Sequence, residues 1–294
     1  MSISEYAPIV IVCYNDKENL EKLIKSLFKN TEFKNSVVHF YCDGPKNKED
    51  LIKVRLVLDF LDEICRTNPN FHIFQNTENM GLYFNITNAV SNTLKEHTCC
   101  IVLEDDLMVS SKFLEFMNFY LNLYKDIDNV GSISGYTPPM MYSNNNYFFT
   151  GGDCWGWATW SRSWKHYEHD TNFLYREIRK ERFKFSHFYT SRNYGLLKQN
   201  LEEKNSWAIN WHCSLYIRNM LTIAPYRTLV RNQGHMGNRE NSGNTRWFDQ
   251  KISKTFIKSK LPVVQTKFIY TRFAISNLAY FFYRIFEKYF LKKL

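Results

Sequence analysis

The apolar positions of this chain alternate between two periods. Pro8-Ile9-Val10-Ile11-Val12-Cys13 is a continuous apolar run closed by Tyr14-Asn15-Asp16, the pattern of a strand buried on both faces. From Glu18 to Phe28 the spacing changes. Leu20, Leu23, Ile24, Leu27 and Phe28 recur at helical intervals, with Asn15 or Asp16 placed to cap the start. The exchange then repeats. Residues 37–42 predict a second strand closed by Asp43-Gly44-Pro45, and a long helix follows through Ile64. Residues 71–74 predict a short third strand. Asn79-Met80-Gly81 reads as a turn into a helix that ends near Leu94. Residues 99–103 predict a fourth strand, and 112–124 a helix. Strands alternating with helices predict an α/β fold, an open and mostly parallel sheet flanked by helices.

Beyond residue 129 the texture differs. Residues 129–150 are rich in Asn, Tyr, Pro and Gly without clean periodicity, which predicts loop and short strand. Residues 151–164 hold four tryptophans. A polar stretch runs to Lys204, residues 207–220 look helical, and the glycine-bearing segment 231–247 reads as a flexible loop. The expected division is a donor-binding half over 1–130, an acceptor-binding and catalytic half over 131–260, and an amphipathic tail over 261–294.

Ligands of open α/β sheets bind beyond the C-terminal ends of the strands. The polar residues expected there are Asn15, Asp16, Asp43, Glu104, Asp105 and Asp106. Three consecutive acids repel one another and resist burial, so their place directly after an apolar strand calls for a divalent cation. Mg²⁺ and Mn²⁺ favour carboxylate oxygens and take their remaining ligands from phosphate and water. The alternative is a solvated loop whose acids cap the next helix. Asp43 is either a turn residue or an acceptor for a nucleotide's base or ribose. Asn79 and Gly81 are either a plain bend or a close backbone approach to the nucleotide. Tyr14 and Asn15 can offer an aromatic face and a backbone amide to the base.

Composition narrows the partners. The 294 residues carry a formal net charge of +9, which draws anions such as nucleotide phosphates, acidic glycans or anionic lipids. No nucleic-acid motif is present, so nucleic acid is not an expected partner. Seven cysteines without a CxxC pair read as buried thiols rather than as a disulfide framework. The N-terminal stretch lacks the layout of a signal peptide, and no run of 18 apolar residues occurs. A cytoplasmic site of action is therefore expected.

At these residues the sequence resembles GT-A glycosyltransferases, the nucleotide-diphospho-sugar transferase fold. The form Glu104-Asp105-Asp106 is similar to the triad of the N-acetylglucosaminyltransferase I family, which is inverting, takes a UDP-sugar and needs Mn²⁺. The resemblance implies that Asp106 touches the metal, that Asp105 contacts ribose or sugar, and that Glu104 assists on the sugar side. A second block, Cys154-Trp155-Gly156-Trp157-Ala158-Thr159-Trp160, resembles one in bacterial surface-polysaccharide glycosyltransferases. It implies a stacking role for Trp157, against the plainer reading of a core tryptophan. A third block, Arg227-Thr228, Gly234-His235 and Trp247 to Gln250, is similar in order to a C-terminal loop that closes over the donor.

One departure matters. The animal family carries its catalytic acid in an Asp-Asp-Trp segment, and the matching segment here, Asn205-Ser206-Trp207, has no carboxylate. The candidate bases are Asp153, Glu202, Glu203 and His235. The resemblance implies a glycan acceptor of the capsule or lipopolysaccharide kind, carried on lipid. The alternatives are a sugar-phosphate nucleotidyltransferase, which would want a glycine-rich basic loop after the first strand, and a non-catalytic carbohydrate-binding protein, which would leave the acids unexplained.

From Lys267 the chain combines many aromatics with Arg272, Arg284, Lys288, Lys292 and Lys293. That pattern suits a helix lying on an anionic membrane, peripheral on the inner face of the plasma membrane, or a helix docked on the body of the protein.

Overall fold

A computed structural model describes residues 6–139, 141, 143–180, 192–202, 206–234 and 246–289. The predicted alternation is realised in the first half: β1 (Ile9–Cys13), α1 (Lys17–Leu27), β2 (Val38–Cys42), α2 (Lys48–Thr67), β3 (Phe71–Gln75), α3 (Gly81–Glu96), β4 (Cys99–Glu104), β5 (Leu107–Val109) and α4 (Phe113–Leu123). Of the two candidate caps on α1 it is Asp16 that accepts from the Asn19 amide, at 3.0 Å.

The second half contributes β6 (Val130–Ser134), β7 (Tyr147–Thr150), β8 (Trp157–Trp160), α5 (Ser161–Trp164), α6 (Thr171–Lys180), α7 (Arg192–Leu201), α8 (Trp207–Tyr216), β9 (Leu221–Ala224), β10 (Val230–Asn232) and α9 (Lys267–Tyr289). The polar stretch before Lys204 thus holds two helices, α6 and α7, where no element was expected. With α8 they close a small core around Leu174, Ile178, Leu197, Ile209 and Cys213. The expected loop 231–247 begins as strand β10, and residues 235–245 lie outside the described residues.

Eight strands form one sheet in the order β3-β2-β1-β4-β8-β6-β9-β7. β3, β2, β1 and β4 are parallel. β8 runs against both β4 and β6, and β7 runs against β9. The sheet is therefore mixed, with its predicted parallel half intact. Both faces of β1 are covered, which is why its five residues are all apolar. Ile9, Ile11 and Cys13 pack with residues of α1, α2 and α4. Val10 and Val12 point the other way, toward α3 and α8.

The tryptophan block settles in this second core. Trp157 is fully buried. It stacks on Trp207 with ring centroids 5.6 Å apart, and Trp211 and Trp164 lie at 5.5 and 5.8 Å. The expected role of Trp157 as a platform for the donor is corrected accordingly, because a ring without exposed surface cannot stack on a ligand. Trp160 is likewise in the core, with its indole N–H donating to the Leu121 carbonyl. Replacing Trp157 with Ala should cost about 3–5 kcal/mol through lost burial and the cavity left behind. Urea denaturation of the variant would measure it, and a loss below about 1 kcal/mol would show that the cluster refills the space.

Candidate functional site

β1, β2 and β4 end at a common level, tied by short bonds across the sheet. The Asp43 amide donates to the Cys13 carbonyl at 3.0 Å, and the Asp105 amide donates to the Val12 carbonyl at 3.1 Å. Beyond these ends lies a cleft of about 140 Å³, lined among others by Tyr14, Asp43, Asn79, Gly81, Glu104 and Asp105. The fold thus gathers three segments that the sequence reading had placed at strand ends, together with the Asn79–Gly81 turn that it had placed at the start of a helix.

Asp43 organises one wall. It is buried, and its carboxylate accepts from the amides of Gly44, Met80 and Gly81 and from the side chains of Asn76 and Asn79, all at 2.9–3.0 Å. Two of these amides belong to the start of α3, where a carboxylate is favoured by the helix dipole. Gly81 itself has φ of +77°, a conformation that an L side chain resists. With five donors already bound, Asp43 shapes the wall, and the acceptor role toward base or ribose would compete with the bonds that hold the turn.

The opposite wall is held through Tyr14. Its backbone amide donates to Asp105 Oδ2 at 3.1 Å, so this amide is engaged by the protein and is not offered to a base as expected. Its hydroxyl donates to Asp50 Oδ2 at 2.7 Å, and Asn15 Nδ2 donates to Asp50 Oδ1 at 2.8 Å. Burial, reinforced by the Asp50 carboxylate, pushes the Tyr14 phenol up to about 12. The same two bonds, Tyr14 first, hold Asp50 below the ordinary carboxylate value. Sequence reading missed Asp50, because an acid in the first turn of a helix is an ordinary feature and nothing marks its distant partners.

Asp106 lies in the short link between β4 and β5. β10 pairs antiparallel with β5, matching Asn232 to Leu107, and the chain then passes over the acids. The Gln233 amide donates to the Asp106 carbonyl at 2.8 Å, and a Cβ on Gly234 would collide with the Asp106 carboxylate. Gly234 therefore packs directly against this carboxylate, where any side chain would collide with it. Among the described residues no group of three or more His, Cys, Asp or Glu side chains is arranged to hold a metal by itself. Hard oxygen donors at the edge of the 140 Å³ cleft, which Glu104 and Asp105 line, do fit a cation that draws its other ligands from phosphate and water.

Asp153 occupies a second place. It accepts from Ser134 Oγ at 2.8 Å and from the Cys154 amide at 2.7 Å. It lines a larger cavity, about 260 Å³, with Tyr136, His212, Phe248, Gln265 and Tyr280 among the other walls. His212 is the neutral partner there: its Nδ1–H donates to the Gly152 carbonyl, its Nε2 accepts from Asn193, and burial lowers its pKa to about 4. Glu202 is described but does not line either cavity. Glu203 and His235 lie outside the described residues.

Residues 9–222 match the family model described as glycosyl transferase family 2. The chain belongs to this family. A comparison with curated proteins returned no match. Solved structures similar to part of the chain include a mannosyltransferase from Pyrobaculum calidifontis in complex with GDP-Man and Mn²⁺, at 18% identity over 45% of this chain and 36% of that one, TM-score 0.32. They also include TarS 1–349 of S. aureus, at 14% identity over 53% and 47%, TM-score 0.37, and GalNAc-T7 with UDP, GalNAc and Mn²⁺, at 12% identity over 56% and 36%, TM-score 0.41. The chain thus matches less than half the length of each. The family and the mixed, helix-flanked sheet support a GT-A glycosyltransferase broadly. They do not support the narrower likeness to the N-acetylglucosaminyltransferase I family or to capsule and lipopolysaccharide enzymes, and the family matched is one of glycosyl transferases.

Asp43→Asn swaps one carboxylate oxygen for an NH₂ group that faces N–H donors. It should destabilise the protein by about 1–3 kcal/mol, read from urea denaturation. A variant as stable as the parent would show that the carboxylate does not hold the turn.

Proposed function

We propose that this family 2 enzyme moves a sugar from a UDP-sugar to a glycan acceptor with inversion at the anomeric carbon. The observation that carries the reading is the run Glu104-Asp105-Asp106 at the C-terminal end of β4, at the mouth of a cleft built by β1, β2 and α3. In this reading Tyr14, Asn15, Asn79 and Gly81 bound the nucleotide, Asp105 and Glu104 face ribose and sugar, and Asp106 is the protein's ligand to Mn²⁺ or Mg²⁺. The bound cation supplies positive charge to the diphosphate as it leaves.

Asp153 is the base of this reading, since it is the candidate carboxylate that lines an open cavity. It takes the proton of the acceptor hydroxyl while that oxygen forms its bond to the anomeric carbon. The bond from that carbon to the diphosphate oxygen breaks at the same time, and UDP departs with the electron pair. The Ser134 hydroxyl, donating to Asp153 Oδ2, orients the carboxylate. The reading is completed by an acceptor of the surface-glycan kind, capsule or lipopolysaccharide, carried on lipid. An anionic membrane at the cytoplasmic side meets α9. No described helix is long and apolar enough to cross a membrane, so that contact is peripheral.

Calorimetry of UDP with and without Mn²⁺ tests the donor site. Binding should require the metal. Asp106→Asn should weaken UDP–Mn²⁺ binding by about tenfold or more, roughly 1.4 kcal/mol, and abolish transfer with the urea midpoint unchanged. Equal UDP affinity with and without metal would overturn the metal-bridged reading.

A further inference from the structure

α9 has two faces of opposite use. Ile269 and Ser276 are buried against the body, and Ser276 Oγ donates to the Pro139 carbonyl at 2.7 Å. On the same side Phe273 packs on Phe149 at 5.6 Å, and Tyr280 packs on Phe248 at 5.2 Å. The docked-helix alternative therefore describes this inner face. The helix also forms one wall of the 260 Å³ cavity, through Phe273, Ser276, Asn277 and Tyr280.

The outer face is apolar and exposed. Phe268, Ile275, Leu278, Phe281, Phe282 and Phe286 are between 45% and 60% exposed. At about 100° per residue they fall on the side away from Ile269 and Ser276. A patch of this kind marks a contact surface. Charge says with what. Residues 250–286 contain no Asp or Glu, while Lys251, Lys254, Lys258, Lys260, Lys267, Arg272 and Arg284 are all basic. The first acid that follows, Glu287, is paired to Arg284 at 3.2 Å. A helix with an exposed aromatic face and an excess of basic residues, Lys267, Arg272 and Arg284 against the single acid Glu287, is complementary to an anionic bilayer surface.

The cavity behind this helix is suited to sugar. Tyr136, Phe248 and Tyr280 give it an aromatic lining, with Tyr136 and Phe248 themselves packed on Trp155, and Asp153, Gln265 and Asn277 add polar groups among the rings. Val102 of β4 is paired with Trp157, so the chain preceding Trp157, through Trp155 to Asp153, runs past the end of β4 where Glu104 to Asp106 stand. Trp155 touches both Tyr136, at 4.5 Å, and Phe248, at 5.6 Å.

We infer that the cavity between α9 and the sheet is the acceptor site and that α9 rests on anionic lipid, so that the acceptor is an amphiphilic glycoside whose sugar end enters behind the helix while its apolar end stays in the bilayer. This rests on the transferase reading and adds the cavity in which a lipid-carried acceptor would be held and its route past α9. One helix then sets both the height of the enzyme on the membrane and the wall that its acceptor meets.

The test uses the full chain. Vesicles containing phosphatidylglycerol should sediment the protein, and phosphatidylcholine vesicles should not. Phe281→Ser together with Phe282→Ser should lower the anionic-vesicle partition by about tenfold or more, with UDP–Mn²⁺ affinity unchanged. Dodecyl maltoside bearing a diazirine on its sugar, used below its micelle concentration, should crosslink to peptides holding Tyr136, Phe248 or Tyr280. Tyr280→Ala should cut that yield by about tenfold. Vesicle binding indifferent to the two phenylalanines, a stable dimer that covers them, or label confined to the outer face or to the cleft of Asp105 overturns the inference. UDP–Mn²⁺ affinity in the same samples separates the failures. If UDP binds and the label goes elsewhere, the acceptor inference alone falls; if UDP does not bind, the transferase reading falls with it.

Discussion

Three adjacent carboxylates cannot be carried into an apolar interior, so β4 has to stop at Glu104. That constraint organises the rest of the molecule. The strand's apolar residues, Cys100 to Leu103, are held between two layers of helices, and the acids are delivered to the rim where β1 and β2 also end. Their repulsion is then managed by neighbours. The Tyr14 amide donates to Asp105, and the chain at Gln233 and Gly234 closes over Asp106. Charge at the rim is less costly than charge in the interior.

The walls around the acids are rigid for the same reason that they are polar. Asp43 draws five donors onto itself and fixes the entry into α3. Asp50 anchors Tyr14 and Asn15 from α2. Neither carboxylate is free to move with a ligand, so the cleft is shaped before anything enters it, and ordering it costs little at the moment of binding. The second cavity is built differently. It lies between the sheet and a helix that docks by aromatic packing, where the walls are apolar rings with a few polar groups among them.

The parallel half of the sheet was legible because a strand buried on both faces must be apolar throughout, and the helices between such strands must be apolar at every third or fourth position. β1 and β4 obey the first rule and α1 the second, and the four strands and four helices read from residues 8–124 are present, whereas the short β5 was not read and β3 is largely exposed. The tryptophan block was ambiguous on the same grounds. A tryptophan serves a core and a sugar equally well, and only the antiparallel insertion of β8 between β4 and β6 decided that Trp157 is core.

By itself, then, the sequence determined the α/β class, the positions where strands give way to polar residues, and the acids that mark the site, since each of these depends on local periodicity or on charges adjacent in the chain. Tertiary structure alone decided which distant groups meet. Asp43 with the start of α3, Tyr14 with Asp50, Gly234 with Asp106, and Asp153 with the wall of α9 are partners across 36 to more than 120 residues. No periodicity records such pairs, because their geometry comes from sheet order and helix docking, which are set by the packing of the whole core.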